Sequence, residues 1–169
     1  MKVIFLDVDG VLNNKDTKAL TPGGWLGVSK TLVKRLQKVA AATDAKVVLT
    51  STWKNADESE LNYLYKKLNF CKPIAFTKEN EKKGSFYRGG GIIDYITAHK
   101  DIEQFVILDD YIFDFEEQDL LNHLVWTNEN EGLTEEKAQQ AIKILNGELN
   151  TQDYIDEIKA DIHEWGYHR

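Results

Sequence analysis

Two pairs of carboxylates in this chain each follow directly on a short apolar run. Asp7 and Asp9 come after Val3-Ile4-Phe5-Leu6, and Asp109-Asp110 come after Phe105-Val106-Ile107-Leu108. A continuous run of β-branched and aromatic residues reads as a strand buried on both faces, as in a parallel sheet. In open α/β sheets, ligands bind in the crevice at the carboxyl ends of the strands. Carboxylates placed there form a set of hard oxygen donors suited to Mg2+. Acids this close repel one another and raise a pKa. A dication relieves that repulsion and leaves one oxygen free as a nucleophile. Gly10, directly after Asp9, permits a sharp turn. Paired acids at two strand ends about a hundred residues apart are hard to explain as solvated turns.

Two further positions could serve the same chemistry. The run Lys46-Val47-Val48-Leu49 ends in Thr50-Ser51. A hydroxyl at a strand end beside carboxylates can donate to a phosphoryl oxygen, and the backbone N–H groups that follow can add to it. Either Thr50 or Ser51 can fill this role, Thr50 being the closer to the strand. Arg88 precedes Gly89-Gly90-Gly91 and Ile92. A cation at such a helix start can neutralise a phosphate and a neighbouring carboxylate. Lys82 and Lys83 are alternatives. Three glycines without the downstream pattern do not make a dinucleotide fingerprint. The four histidines lack ligand spacing to acids or to cysteine, and His99 and His123 read as structural.

The elements that must position these groups alternate between strand and helix. After β-type residues 3–6 comes a loop over 11–27 rich in Asn, Gly and Pro, with Trp25 and Leu26 among its glycines. It reads as a short flap over the acidic pair, or as a hydrophobic plug on the neighbouring helix. Ser29 is expected to cap a helix over 30–42 with Leu32, Val33, Leu36, Val39 and Ala40 inward. A second helix spans 57–68, and residues 73–76 form a short third strand. A helix runs from Arg88 to near His99, and Leu124-Val125-Trp126 is a fifth strand. Thr134 caps a helix ending near Asn146, with Gly147 as its stop. Residues 148–169 carry a helical stripe of Tyr154, Ile155, Ile158, Ile162 and Trp165, expected to pack back on the domain. Residues 1–147 are thus one domain with a small flap, and 148–169 a helical extension on it. The reading is a doubly wound α/β fold with five parallel strands.

Composition narrows the class. One domain of 169 residues is long enough to bury a real core, and 42% of the residues are hydrophobic. The single cysteine, Cys71, excludes an internal disulfide and points to a reducing compartment. No apolar run has the length of a membrane span and no basic leader is present, so a cytoplasmic protein without membrane contact is expected. The net charge of -7 is unevenly spread. Residues 1–100 hold 17 Lys and Arg against 10 Asp and Glu, whereas residues 101–169 hold 4 against 18. The basic excess lies between Lys66 and Arg88 and could hold a polyanion backbone, although overall acidity argues against strong nonspecific DNA binding.

The stretch Phe5-Leu6-Asp7-Val8-Asp9-Gly10-Val11-Leu12-Asn13 resembles the first signature of the haloacid dehalogenase-like (HAD) phosphohydrolases. Thr50, Arg88 and Asp109-Asp110 resemble the second, third and fourth, in the expected order. Together with Thr50-Ser51-Thr52-Trp53-Lys54 and Leu108-Asp109-Asp110, the chain is similar to the HAD-type domains of RNA-repair proteins. The resemblance implies a strand order of 5-4-1-2-3 and hydrolysis of a phosphomonoester through an aspartyl-phosphate, with Mg2+ as cofactor. In these roles Asp7 is the nucleophile and Asp9 the acid and base. Thr50, Ser51 and Arg88 hold the phosphoryl group. Asp7, Asp110 and the Asp9 backbone carbonyl bind the metal, and Asp109 and Asp114 are partial or supporting ligands. No large cap fits between the signatures, so an open site is expected. Such a site suits a nucleic-acid 3'- or 5'-phosphate, with Trp25, Trp53 and Tyr87 available for stacking. A nucleotide or sugar phosphate is the other candidate. The protein is expected to be a monomer or weak homodimer. A noncatalytic module that binds Mg2+ and phosphate is the alternative from another class. A phosphoacceptor receiver domain fits poorly, because Pro73-Ile74-Ala75-Phe76-Thr77 ends in no aspartate.

Overall fold

The structure is a computed structural model that describes residues 1–79 and 85–165, leaving Lys82 and Lys83 outside the described residues. Its elements follow one another as β1 (Lys2–Leu6), α1 (Lys30–Thr43), β2 (Lys46–Leu49), α2 (Glu58–Leu68), β3 (Ala75–Phe76), α3 (Arg88–Ala98), β4 (Gln104–Asp109), β5 (Leu124–Trp126), α4 (Glu135–Leu145) and α5 (Gln152–Trp165). The five strands form one parallel sheet in the order β3-β2-β1-β4-β5. This is the expected order read from the other edge. β1 lies at the centre, with Leu6 in register with Leu49 on one side and Leu108 on the other. Asp7, Thr50 and Asp109 therefore leave the sheet side by side.

Side chains alternate across each strand, so the sheet has two buried faces. Ile4, Leu6, Val47, Leu49, Val106, Leu108 and Val125 pack under α1, α2 and α4. Val3, Phe5, Val48, Ile107 and Leu124 pack under α3 and α5. Ile158 and Ile162 of α5 belong to this second core, and the Tyr154 hydroxyl receives the Trp126 amide at 3.1 Å. Asp57 and Thr134 cap α2 and α4 through their side chains. Ser29 departs from expectation: it takes the capping backbone position, but its hydroxyl makes no capping bond. Its amide instead donates to the Leu12 carbonyl at 2.7 Å, tying α1 to the turn after β1.

That turn is more deeply set than a flap. Val11, Leu12 and Asn13 are buried. The projecting part is a small hairpin in which Leu20 bridges Leu26 and Thr21 pairs with Trp25. Its turn is fixed on α2, where the buried Glu60 carboxylate accepts the Gly23 amide at 2.6 Å. Leu20, Trp25 and Leu26 are exposed on it. None of the helices described is long and apolar enough to cross a membrane.

Candidate active site

Asp7 follows β1 and is held in place by its own amide, which donates to the Leu108 carbonyl at 2.9 Å. The Thr50 amide donates to the Leu6 carbonyl at the same distance, continuing the parallel ladder one step beyond the strands. Asp109 closes β4, and Asp110 follows it. Asp7, Asp109 and Asp110 each offer one carboxylate oxygen, all within 4.8 Å of one another. Two strand ends meet because β1 and β4 are neighbours in register, which no local pattern announces.

Arg88 crosses this cluster from the start of α3. Its guanidinium lies 2.6 Å from Asp109 Oδ2 and 3.1 Å from Asp7 Oδ1, and it stacks on the Phe113 ring at 4.2 Å. Phe113 takes a φ of 46°, a strained conformation for an aromatic residue, beside the site it supports. Burial works against the Arg88 charge, but the carboxylates of Asp109 and Asp7 outweigh it and hold the group more firmly protonated than usual. The other Asp109 oxygen accepts the Tyr111 amide at 2.9 Å. Both oxygens of this fully buried acid therefore have donors.

Asp110 differs. Among the described residues no side chain pairs with its carboxylate. Burial, and then the neighbouring Asp7 charge, pushes its carboxyl up to about 7. Asp109 is raised as well, by burial first, with Arg88 opposing. One guanidinium thus faces three acids. The donors are hard oxygens, the repulsion is uncompensated, and a divalent cation would fit both the chemistry and the charge. Gly10 makes the room: a Cβ there would lie 2.1 Å from Asp110 Oδ2, and its φ is 69°. Replacing Gly10 by Ala is expected to cost about 1–3 kcal/mol of stability from backbone strain and to displace Asp110. Urea unfolding and metal titration of the variant would check this. An unaltered affinity would mean that Asp110 is not a ligand.

Asp9 lies on the open side. Its oxygens accept from Asn13 Nδ2 at 2.7 Å and from Trp53 Nε1 at 3.0 Å, and Asn13 Oδ1 in turn accepts the Gly10 amide. Sequence reasoning missed both partners, although Asn13 lies within the first signature stretch. Trp53 is corrected from a stacking residue to a buried orienting one. Trp25 remains half-exposed on the hairpin, with its ring edge-on to Trp53 at 6.3 Å between centroids.

Thr50 and Ser51 are both buried, but they are used differently. Ser51 Oγ accepts the Trp53 amide and so starts the 3-10 turn Thr52–Asn55. The Thr50 hydroxyl has no hydrogen-bond partner among the described residues. Asp114 does not join the group of acids that could share an ion. Its two oxygens accept the Gly89 and Gly90 amides at 2.6 and 2.9 Å, fixing the start of α3 and with it Arg88. The three glycines are thereby explained. A Cβ on Gly89, Gly90 or Gly91 would run into Asp114, the Tyr87 ring or the Lys78 carbonyl.

Against known protein families, residues 3–138 match the HAD domain in Swiss Army Knife RNA repair proteins. No curated protein and no solved structure matches the chain at a significant level. With most of its length matched and its acids gathered at the ends of β1 and β4, this chain belongs to the family of HAD domains found in Swiss Army Knife RNA repair proteins.

Proposed function

We propose that the protein is a Mg2+-dependent phosphomonoester hydrolase that works through an aspartyl-phosphate on Asp7. The carrying observation is the convergence of Asp7, Asp109 and Asp110 beside a buried Thr50 hydroxyl that lacks a partner. Asp7, Asp110 and the Asp9 carbonyl would hold the ion. Bound Mg2+ supplies charge neutralisation for the phosphoryl oxygens and keeps the acids ionised. Asp109, with both oxygens taken, anchors Arg88.

In the first half-reaction an Asp7 oxygen bonds to phosphorus as the ester P–O bond breaks, and Asp9 gives its proton to the leaving oxygen. In the second, water attacks phosphorus, Asp9 takes its proton, and inorganic phosphate leaves Asp7. Trp53 and Asn13 aim the Asp9 carboxyl for both transfers. Thr50 donates to a phosphoryl oxygen and Arg88 neutralises charge, while the Trp53 and Lys54 amides are taken up by Ser51 in the 3-10 turn.

Among the described residues no cap larger than a short hairpin stands near the site, which suits a large substrate, and the family's occurrence in RNA repair proteins favours a nucleic-acid terminal phosphate. The test is phosphate release from 3'- and 5'-phosphorylated oligonucleotides, nucleotides, sugar phosphates and an aryl phosphate, with and without Mg2+, for the natural chain and Asp7→Asn. Oligonucleotides are expected to turn over fastest. Metal and phosphate binding without turnover on any of them would leave a noncatalytic binding module.

The raised Asp110 carboxyl gives a second check. Its ordinary value is 3.8, against about 7 in the fold. Between these values the metal-free folded state binds more protons than the unfolded chain, so its stability falls as pH rises toward 7. A dication takes the ionised carboxylate, so its binding releases the proton and strengthens with pH. The rise in Tm at a fixed Mg2+ concentration is expected to grow from pH 5.5 to pH 8. A pH-independent rise would place the ion elsewhere.

A further inference from the structure

The cation nearest the proposed phosphoryl site is already engaged. Arg88 is shared between Asp109 and Asp7, packed on Phe113 and almost wholly buried. A second cation shares its pocket. Lys54, from the 3-10 turn after β2, lines a small cleft with Thr50, Thr77, Lys78, Glu79 and Arg88. Its side chain is only 9% exposed, and its acidic partner among the described residues is Glu79, 3.4 Å away. That separation is long for a direct N–H···O bond. Glu79 Oε1 also accepts from Asn55 Nδ2 at 3.2 Å, so Lys54 does not hold this carboxylate alone. On the same cleft, the Thr50 hydroxyl is buried with no partner among the described residues. A buried hydroxyl with no partner in the protein is free to donate to a bound oxyanion. Around this cleft two ammonium groups and one guanidinium outnumber the single carboxylate of Glu79, a balance that suits an anion.

Resting on the phosphohydrolase reading, we propose that Lys54 is a phosphate-binding residue, its ammonium leaving Glu79 for the phosphoryl oxygens to which the Thr50 hydroxyl also donates. Arg88 is then chiefly the counter-charge of the acid cluster, and Lys54 is the cation that responds to substrate. A lysine fits this task because its charge sits on a flexible four-carbon stem, while the guanidinium is fixed by two carboxylates and a ring. Burial disfavours the Lys54 charge, and Glu79 and Asp7 support it while Arg88 opposes it. An arriving phosphate adds negative charge beside this buried ammonium. Glu79 competes with phosphate for the same group.

The experiment is calorimetric binding of inorganic phosphate in the presence of Mg2+, on the natural chain, Lys54→Gln, Lys54→Arg and Glu79→Gln. Removing one charge-assisted partner is expected to weaken phosphate at least about tenfold in Lys54→Gln. Lys54→Arg should recover most of that loss, and Glu79→Gln should tighten binding severalfold. On the aryl phosphate, Lys54→Gln should raise KM more than it lowers kcat. Circular dichroism and Mg2+ titration of each variant separate misfolding from lost contact, and Lys54→Arg and Glu79→Gln keep the test decisive if Lys54→Gln does not fold. Phosphate affinity within twofold of the natural chain in a folded Lys54→Gln would overturn the proposal, as would unchanged affinity in Glu79→Gln. If turnover still depends on Asp7 in that case, the phosphatase reading stands without Lys54. A natural chain that neither binds phosphate nor turns over any ester would overturn both.

Discussion

Asp7→Asn is expected to lower turnover of every substrate by on the order of 10⁴-fold or more, the scale on which enzymes respond to loss of a covalent nucleophile. The substitution should leave the fold intact, which makes it a clean test. Asp7 contacts Arg88 at 3.1 Å, but it also raises the carboxyls of Asp109 and Asp110. Its charge therefore attracts one neighbour and repels two. Neutralising it should change stability far less than removing Arg88 does, since Arg88 keeps Asp109 and the lost contact is offset by relieved repulsion. The acid cluster would still attract a cation through Asp110. Steady-state kinetics, with urea unfolding of the same preparation, would check both halves. Undiminished activity would remove Asp7 from the mechanism, and a covalent phosphoenzyme in the variant would relocate the nucleophile.

The second large effect concerns Arg88. Arg88→Met would leave Asp109, which has no exposed surface, with a single backbone amide as donor. Breaking a buried ion pair by deleting one partner costs about 3–5 kcal/mol, because an uncompensated charge remains inside. A loss of that size is expected by urea unfolding at pH 7.5 without Mg2+. The sign with pH is defined. Asp109 deprived of its cation gains most from taking a proton, so the deficit should shrink as pH falls toward 5. Mg2+ should also reduce it, by supplying charge to the same acids. A deficit below about 1 kcal/mol would mean that Arg88 is poised for substrate rather than needed to hold the resting cluster together, and would shift the weight of phosphate binding back from Lys54.

These two residues show how unevenly the site was legible. Asp7 and Asp110 announce themselves because each follows an apolar strand, and both the strand and the acid are visible locally. Arg88 was equally visible as a basic residue at a helix start. Its engagement with Asp109, twenty-one positions on, was not, since it depends on β4 lying beside β1. The glycines after it read as a helix start, but their purpose is clear only in the fold, where Asp114 occupies the space a side chain on Gly89 would need. Trp53 was read as an exposed platform for bases because aromatic residues near basic ones suit that use. In the fold its ring is buried and its one N–H serves Asp9. Lys54 ends the stretch Thr50-Ser51-Thr52-Trp53-Lys54, and only the turn after β2 gives it a role by setting it beside Thr50.

By itself, the sequence determined the strands, the helices and their alternation, since strand and helix periodicities of apolar residues depend only on near neighbours. It also determined which strand ends carry acids and hydroxyls, because those residues directly adjoin the apolar runs. Tertiary structure alone decided which charges meet. Asp7 and Arg88 are eighty-one residues apart, Asp9 and Trp53 forty-four, and their contacts follow from strand order and register. The same sheet decided which polar atoms are left over after folding. The Thr50 hydroxyl could be seen to lack a partner only once every neighbour was in place. Burial is what makes this matter, since an unpaired hydroxyl in water is ordinary and one in a protein interior is costly.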